Sequence, residues 1–347
     1  MLRKETDLTK MTHYFLGSDV GSTKTHVLIA DEAGRSLGFG ESGPGNHETV
    51  GYEGLSRALE AATQPALRMA GLTIEQIAGA GFGVSGFDFP LEKEATLRAI
   101  GVLGLRAPLE AVNDTLIGLL AGAANGWGVA VVSGTGCNCF GWDRDRRVGQ
   151  VTGGGWQMGE NAGASDLMVR VGQTIAHEWT QRGPATQLTP AMIRYAGVRD
   201  VVELLHGLAE DRIHLDSAAA PLVFEVAAQG DPVAIDLIRW AGQELGELAK
   251  AVIRQLDFQL LEFDVVLLGS MFNGGSLLID SMRETIHVFA PGAHLVRLTA
   301  PPVVGAVLLG MEQAHCLPTP TIRSMLTRTV AEIRAAQTAT REALPPR

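Results

Sequence analysis

Asp114 closes the apolar run "LEAVND" and stands directly before the helical stretch "TLIGLLAGAANG". A carboxylate at such a junction can accept the proton of a hydroxyl as that hydroxyl attacks a phosphoryl group. The alternative role there is a helix N-cap, filled by Asn113 or by Asp114 itself. Upstream, Asp19 ends another apolar run and opens the turn "GSTKT", residues 21–25. A strand-end carboxylate can hold a magnesium ion directly or through water. Gly21 lets the backbone turn sharply, so that neighbouring N–H groups, Ser22, Thr23, Lys24 and Thr25 can surround one anion. The spacing is not that of a P-loop: the first glycine of G-x4-G-K-[ST] is missing, and a strand rather than a helix follows. Taken alone, the turn is equally compatible with an ordinary hairpin.

Two further glycine turns bear on the choice. In "SGTGCN", residues 133–138, Gly134 and Gly136 flank Thr135 and permit close backbone approach to a phosphate. In "GSMFNGG", residues 269–275, Gly269, Ser270 and Gly274 lie between the apolar strand "FDVVLL" and a helix. A flat ring can lie close to such a backbone; a common strand-to-helix turn is the alternative. Short polar side chains of the kind that recognise a polyhydroxyl molecule stand in "GPGNHE" (Asn46) and "GVSGFDFP" (Ser85, Asp88). In "TGGGWQMGENAGASD", Trp156 suits an apolar sugar face and Glu160 suits hydroxyl donors.

The elements that must position these residues follow from periodicity. The opening segment reads strand, glycine turn, strand, the polar turn "DEAGR", then a third short strand, and the order returns in "GVAVVSGTGCNCFGWDRDRRVGQVTG" with a strand at 137–142. Such a repeat predicts two related lobes, each with one glycine hairpin. Between the hairpins, residues 50–70 have helical spacing punctuated by Pro65 and Gly71, and 77–84 form a buried strand. Residues 160–255 read as mostly helical, with Asp231-Pro232 as an N-cap and N1 pair. Strands alternating with helices predict an α/β fold, with a lobe boundary near 115–125.

The 347 residues exceed one small core, and 46% hydrophobic against 19% charged residues excludes disorder. A net charge of −10 argues against a nucleic-acid partner held by counterion release. The start "MLRKETDLTKMTHY" lacks an apolar signal core, and no apolar run of about 18 residues suggests a membrane span. Cys137, Cys139 and Cys316 form no disulfide framework, which fits a cytoplasmic setting. The end, "ATREALPPR", reads as a frayed tail.

In this order, "DVGSTKTHVLI", "NDT", "VVSGTGCNC", "GGGW…GENAGAS" and "LLGSMFNGG" resemble the actin-like sugar kinase and heat-shock protein ATPase superfamily. Within it the chain is most similar to the BadF/BadG/BcrA/BcrD-type ATPase family, in its N-acetylglucosamine kinase branch, from about residue 15 to about 315. The resemblance implies two actin-like (ribonuclease H-like) lobes, each a mixed sheet with flanking helices, and an active-site cleft between them. The implied division is 14–120, then 121–317 with a helical insertion at 160–255, then a C-terminal helix and tail at 318–347. The implied cofactors are ATP and Mg2+, with Asp19 helping to hold the metal and Asp114 acting as base for a sugar 6-hydroxyl. Residues 21–25 and Gly134, Thr135 and Gly136 lie on the phosphates; Gly269, Ser270 and Gly274 lie on adenosine. Asn46, Ser85, Asp88, Asn113, Trp156 and Glu160 surround the sugar, N-acetylglucosamine or glucosamine, and the partner is a second copy in a homodimer. The loop after Trp156 departs from the family: its spacer is only Gln157-Met158, and Glu160-Asn161 replaces an acidic pair. Two other functions occur on related scaffolds: an ATPase that activates a CoA-thioester dehydratase or reductase, and a non-enzymatic nucleotide-dependent binding protein.

Overall fold

The computed structural model describes residues 12–342, with side chains through residue 337. Most of the charged opening segment and the end of the tail lie outside the described residues. Two compact units result, one of the residues up to 121 together with those from 300 onward, the other of residues 122–299.

In the first unit, β1 (Tyr14–Val20), β2 (Thr25–Asp31) and β3 (Ser36–Ser42) precede α1 (His47–Ala70), β4 (Ile77–Val84), α2 (Lys93–Ile100), β5 (Leu109–Asn113) and α3 (Asp114–Gly122). The sheet order is β3-β2-β1-β4-β5; the β1–β2 and β2–β3 pairs are antiparallel, while β1–β4 and β4–β5 are parallel. Alternation along a strand sends successive side chains to opposite faces, so both faces of this sheet carry a core. Leu16, Val27, Ile29 and Phe82 pack with Leu55 and Leu59 of α1. Helix α1 is kinked at Gly51 (φ +69), continues through Pro65, which sequence reading takes as punctuation, and ends on left-handed Gly71. An interior proline costs roughly 3 kcal/mol. Burial of Leu55, Leu59, Ala62, Ala66 and Leu67 on one helix face offsets it.

The second unit begins with β6 (Gly128–Ser133), β7 (Cys137–Trp142) and β8 (Val148–Gln150). A helical stretch follows: α4 (Ala164–Trp179), α5 (Leu188–Ala196), α6 (Val201–Ala209), α7 (Ala220–Ala228) and α8 (Pro232–Leu256). Asp231 caps α8 by accepting from Ala234 N at 2.9 Å. Then come β9 (Phe263–Leu268), α9 (Ser276–His287) and β10 (Ala293–Arg297). The order β8-β7-β6-β9-β10 repeats that of the first sheet, antiparallel at β6–β7 and β7–β8 and parallel at β6–β9 and β9–β10.

The chain then returns to the first unit with α10 (Pro302–Gln313) and α11 (Pro320–Glu342). This differs from the division at 121–317 and 318–347 that the resemblance implies. Val303, Val304, Val307, Leu308 and Met311 of α10 cover Phe15, Leu28 and Phe39 on the second face of the first sheet. The approach is close enough that a Cβ on Gly17 would lie 2.3 Å from Val307 N, and one on Gly81 2.2 Å from Ala306 O. Only glycine permits it.

Candidate functional site

The polar groups of the first unit gather where β1, β4 and β5 end. Gly21 N donates to Lys24 O at 2.9 Å and closes the β1–β2 turn, leaving Ser22, Thr23 and Lys24 exposed. Thr25 is not part of that exposed edge: it is buried at the start of β2, its hydroxyl against Gly45. Two neighbouring loops are tied to the turn by Gly45 N donating to Gly21 O (3.1 Å) and Ser85 N donating to Val20 O (2.9 Å). Asn46 is buried and fully engaged. Its Oδ1 accepts from Glu48 N at 2.9 Å and caps α1, while Nδ2 donates to Ser22 Oγ at 3.1 Å, with Ser85 Oγ at 3.5 Å. It therefore links the phosphate turn to the loop carrying Ser85.

Asn113, also buried, donates through Nδ2 to Asp88 Oδ1 (2.9 Å) and to Phe87 O (3.2 Å), and accepts from Thr115 N (2.9 Å). Asn113 thus shares the capping of α3 with Asp114, whose carboxyl also meets the backbone N–H groups of Thr115 and of Asp114 itself. Burial, then the carboxylates of Asp19 and Asp88, push the Asp114 carboxyl up to about 7. A carboxyl poised there is matched to base catalysis near neutrality. Asp19 is itself partly exposed; His26 Nδ1 lies 3.8 Å from its Oδ2, and His26 Nε2 lies 3.3 Å from Glu41 Oε2. Among the described residues no three His, Cys, Asp or Glu side chains gather into a ready metal cage. One accessible carboxylate still fits magnesium, which takes one or two carboxylates and fills its octahedron with phosphate oxygens and water. His26 and Glu41 carry no sequence motif; only their cross-strand register, His26 opposite Glu41, brings them together.

In the second unit the β6–β7 turn is closed by Gly134 N donating to Gly136 O at 2.9 Å. Ala164 N and Ser165 N, in the first turn of α4, donate to Gly134 O (2.8 Å) and Thr135 O (3.0 Å) and hold the turn against that helix. Thr135 and Gly136 stay exposed, and a Cβ placed on Gly134 or Gly136 would meet nothing within 4 Å. The space above the loop is open, as a phosphate cradle requires. Beside it lies a cavity of about 330 Å³ lined by Ala164, Pro221, Phe224, Ser270, Met271 and Gly274, among others. Ser270 and Gly274, two of the three residues that the resemblance assigns to adenosine, line this cavity. Gly274 lies against the ring of Phe224, and Gly269 does not line the cavity. Gly269, at φ +105, packs on Ser133 O, where a Cβ would come within 2.2 Å. The α7 residues of this cavity come from a stretch whose helical pattern gives no sign of a ligand.

The loop between β8 and α4 is pinned at its base. Glu160 Oε1 accepts from Thr152 N (2.7 Å) and Thr152 Oγ1 (2.8 Å), while its Oε2 is buried without a partner. At the tip Trp156 is 71% exposed and Met158 63%, so both apolar side chains are available for a ligand. Cys137 and Cys139 are buried in β7. Burial raises the first thiol to about 11 and the second well above its ordinary value, which disfavours thiolate ligation of an iron–sulfur cluster.

Comparison with known proteins agrees with this architecture. The chain is 24% identical to the N-acetylmuramic acid/N-acetylglucosamine kinase of Clostridium acetobutylicum, over 86% of this chain and 99% of that protein. It is 25% identical to the N-acetyl-D-glucosamine kinase of Dictyostelium discoideum, over 86% and 97% respectively. Among solved structures, a candidate N-acetylglucosamine kinase from Chromobacterium violaceum superposes with a TM-score of 0.59 at 25% identity, covering 86% of this chain and 99% of that one. The fold is also that of a ROK hexokinase from Thermus thermophilus, with a TM-score of 0.51 at 20% identity, over 87% and 99%. Residues 16–310 match the profile of one family across both units, and the chain belongs to the BadF/BadG/BcrA/BcrD ATPase family.

Proposed function

We propose that this protein is an ATP-dependent sugar kinase acting on the 6-hydroxyl of N-acetylglucosamine or glucosamine. The observation that carries the reading is Asp114, at the start of α3 and raised to about 7 by burial and by Asp19 and Asp88. Its carboxylate takes the proton of the sugar hydroxyl as the hydroxyl oxygen bonds to the γ-phosphorus. The bond from that phosphorus to the β-phosphate oxygen breaks, and ADP leaves with the electron pair. Ser22, Thr23, Lys24 and the Gly134–Gly136 turn hold the phosphates; the cavity beside Ser270 and Gly274 takes adenosine. Asp19 would hold Mg2+, which neutralises charge developing on the phosphates. Asp88, positioned by Asn113, and Trp156 would orient the sugar. Asn46 and Ser85 would support that surface. Relatives named as kinases of these amino sugars support the substrate class. The reading includes a homodimer and a cytoplasmic setting, on family resemblance.

A panel of sugars with Mg-ATP, assayed for ADP release in wild type and Asp114→Asn, tests it. Amino sugars should raise ADP release well above the water background in wild type only. Equal rates in the two proteins, or no response to any sugar, would overturn it.

A further inference from the structure

The loop of residues 85–92, between β4 and α2, carries Ser85 and Asp88. Apolar burial fixes only part of it: Phe87 packs on the core of the first unit, while Phe89 and Leu91 are exposed. The backbone at Asp88 must therefore be set by hydrogen bonds. Glu92 supplies them, its Oε2 accepting from Asp88 N at 3.0 Å and from Phe89 N at 2.8 Å.

A carboxylate that reaches back to close one short helical turn is common. Glu92 does more than that. Its side chain is only 17% exposed, and its other oxygen, Oε1, lies 3.5 Å from His47 Nε2 in the first turn of α1. The His47 ring is stacked on Tyr52, 4.5 Å between centres and 14° between planes. Immediately before His47 stands Asn46, which holds Ser22 of the β1–β2 turn and approaches Ser85. Glu92 thus braces the Asp88 loop on the element that also holds the β1–β2 turn. Gly86, at φ +82, lets the loop close there: a Cβ on it would lie 2.5 Å from Asn46 Oδ1. The Asp88 side chain is held separately, by Asn113 Nδ2 donating to its Oδ1 at 2.9 Å. Backbone and side chain of Asp88 are therefore pinned from opposite sides of the loop, by Glu92 and by Asn113.

From this convergence of Asp88 N, Phe89 N and His47 on one half-buried carboxylate, we infer that Glu92 is a positioning residue: it sets the backbone of Asp88 and, through Asp88, the affinity for the sugar. The inference rests on the kinase reading above and adds to it a residue that touches neither substrate. A group held before the ligand arrives has less freedom to lose on binding, so loosening Asp88 costs sugar affinity and spares the nucleotide.

The test is steady-state kinetics of the full chain as wild type, Glu92→Ala, Glu92→Asp and Glu92→Gln, on whichever of N-acetylglucosamine and glucosamine the wild type phosphorylates. One glutamine carbonyl oxygen can still accept from both N–H groups, whereas aspartate keeps the charge but is a methylene short of them. The Ala and Asp variants should raise KM for the sugar about tenfold and the Gln variant less than about threefold, with KM for ATP unchanged. The Asp and Gln variants decide the matter if the Ala variant fails to fold. Sugar and ATP KM rising together, a Gln variant as impaired as the Asp variant, or no change in any variant would each overturn the inference and leave the kinase reading standing. A wild type that phosphorylates neither sugar would bring down that reading, and this inference with it.

Discussion

The β1–β2 and β6–β7 hairpins share strand order, pairing directions and a glycine turn, yet their surroundings differ in charge. Around the first stand Asp19, Glu41, Asp88 and Asp114, close enough for Asp19 and Asp88 to act on the carboxyl of Asp114. The second turn is flanked by open space, the N-terminal turn of α4 and an apolar-lined cavity, with Glu160 and Asp166 near enough to act on the Cys137 thiol. One topology thus carries two settings, a carboxylate cluster at the first turn and open space beside an apolar-lined cavity at the second.

The division of labour is most exposed to attack at Asp114. Asp114→Asn should lower kcat about 10²–10⁴-fold while leaving ATP affinity nearly unchanged, in steady-state kinetics with parallel nucleotide titration. A loss of ATP affinity matching the loss of rate would mean that the first hairpin binds rather than reacts. The base must be ionised, so the rate should climb about tenfold per pH unit and level off above about 7. Stability should run the other way. The unfolded carboxyl ionises near 4 and the folded one near 7, so the folded state holds the extra proton in between and loses stability as pH rises through that window. Differential scanning at pH 5 and pH 8 should show the Asn variant gaining on wild type at the higher pH.

Next in size are two glycines of the second hairpin's neighbourhood. Gly269→Ala meets Ser133 O from a left-handed backbone and should lower the melting temperature, at a cost of about 1–3 kcal/mol. Gly134→Ala meets nothing, so the fold should persist while its methyl group crowds the phosphates and raises KM for ATP about tenfold, roughly 1.4 kcal/mol. If the two variants exchanged these signatures, the cradle would be misplaced. Smallest is Lys24→Ala. Its ion pair with Glu41, at 3.4 Å, is largely solvent-exposed on the lysine side. The melting temperature should not move, and KM for ATP should rise only a few-fold at low salt, less at high salt.

Strand limits and glycine turns were legible because they depend on local sequence: 77–84 and 137–142 stand in the structure as read. Pro65 misled because tertiary burial of α1 outweighs a local penalty. Site residues were legible as types and less so as partners. Asn46 and Asn113 read as sugar contacts, yet their amides are engaged in caps and in bonds to Ser22 and Asp88, contacts between distant segments that no spacing discloses. Phe224 carries no motif at all; the packing of α7 beside the 269–275 turn, far apart in sequence, brings it to the cavity.

The return of α10 to the first sheet has a consequence during synthesis. When a ribosome has made β1 to β5, the face bearing Phe15, Leu28 and Phe39 has no cover, because its partners in α10 begin at Pro302. All of residues 122–299 must be translated first, roughly 10–40 s at cellular elongation rates. During that interval the nascent chain carries an open apolar sheet, a surface for chaperones to shield, while the later-made unit can already close. A chain ending just after Thr299 would hold all of the second unit joined to a first that lacks the α10 cover of its core.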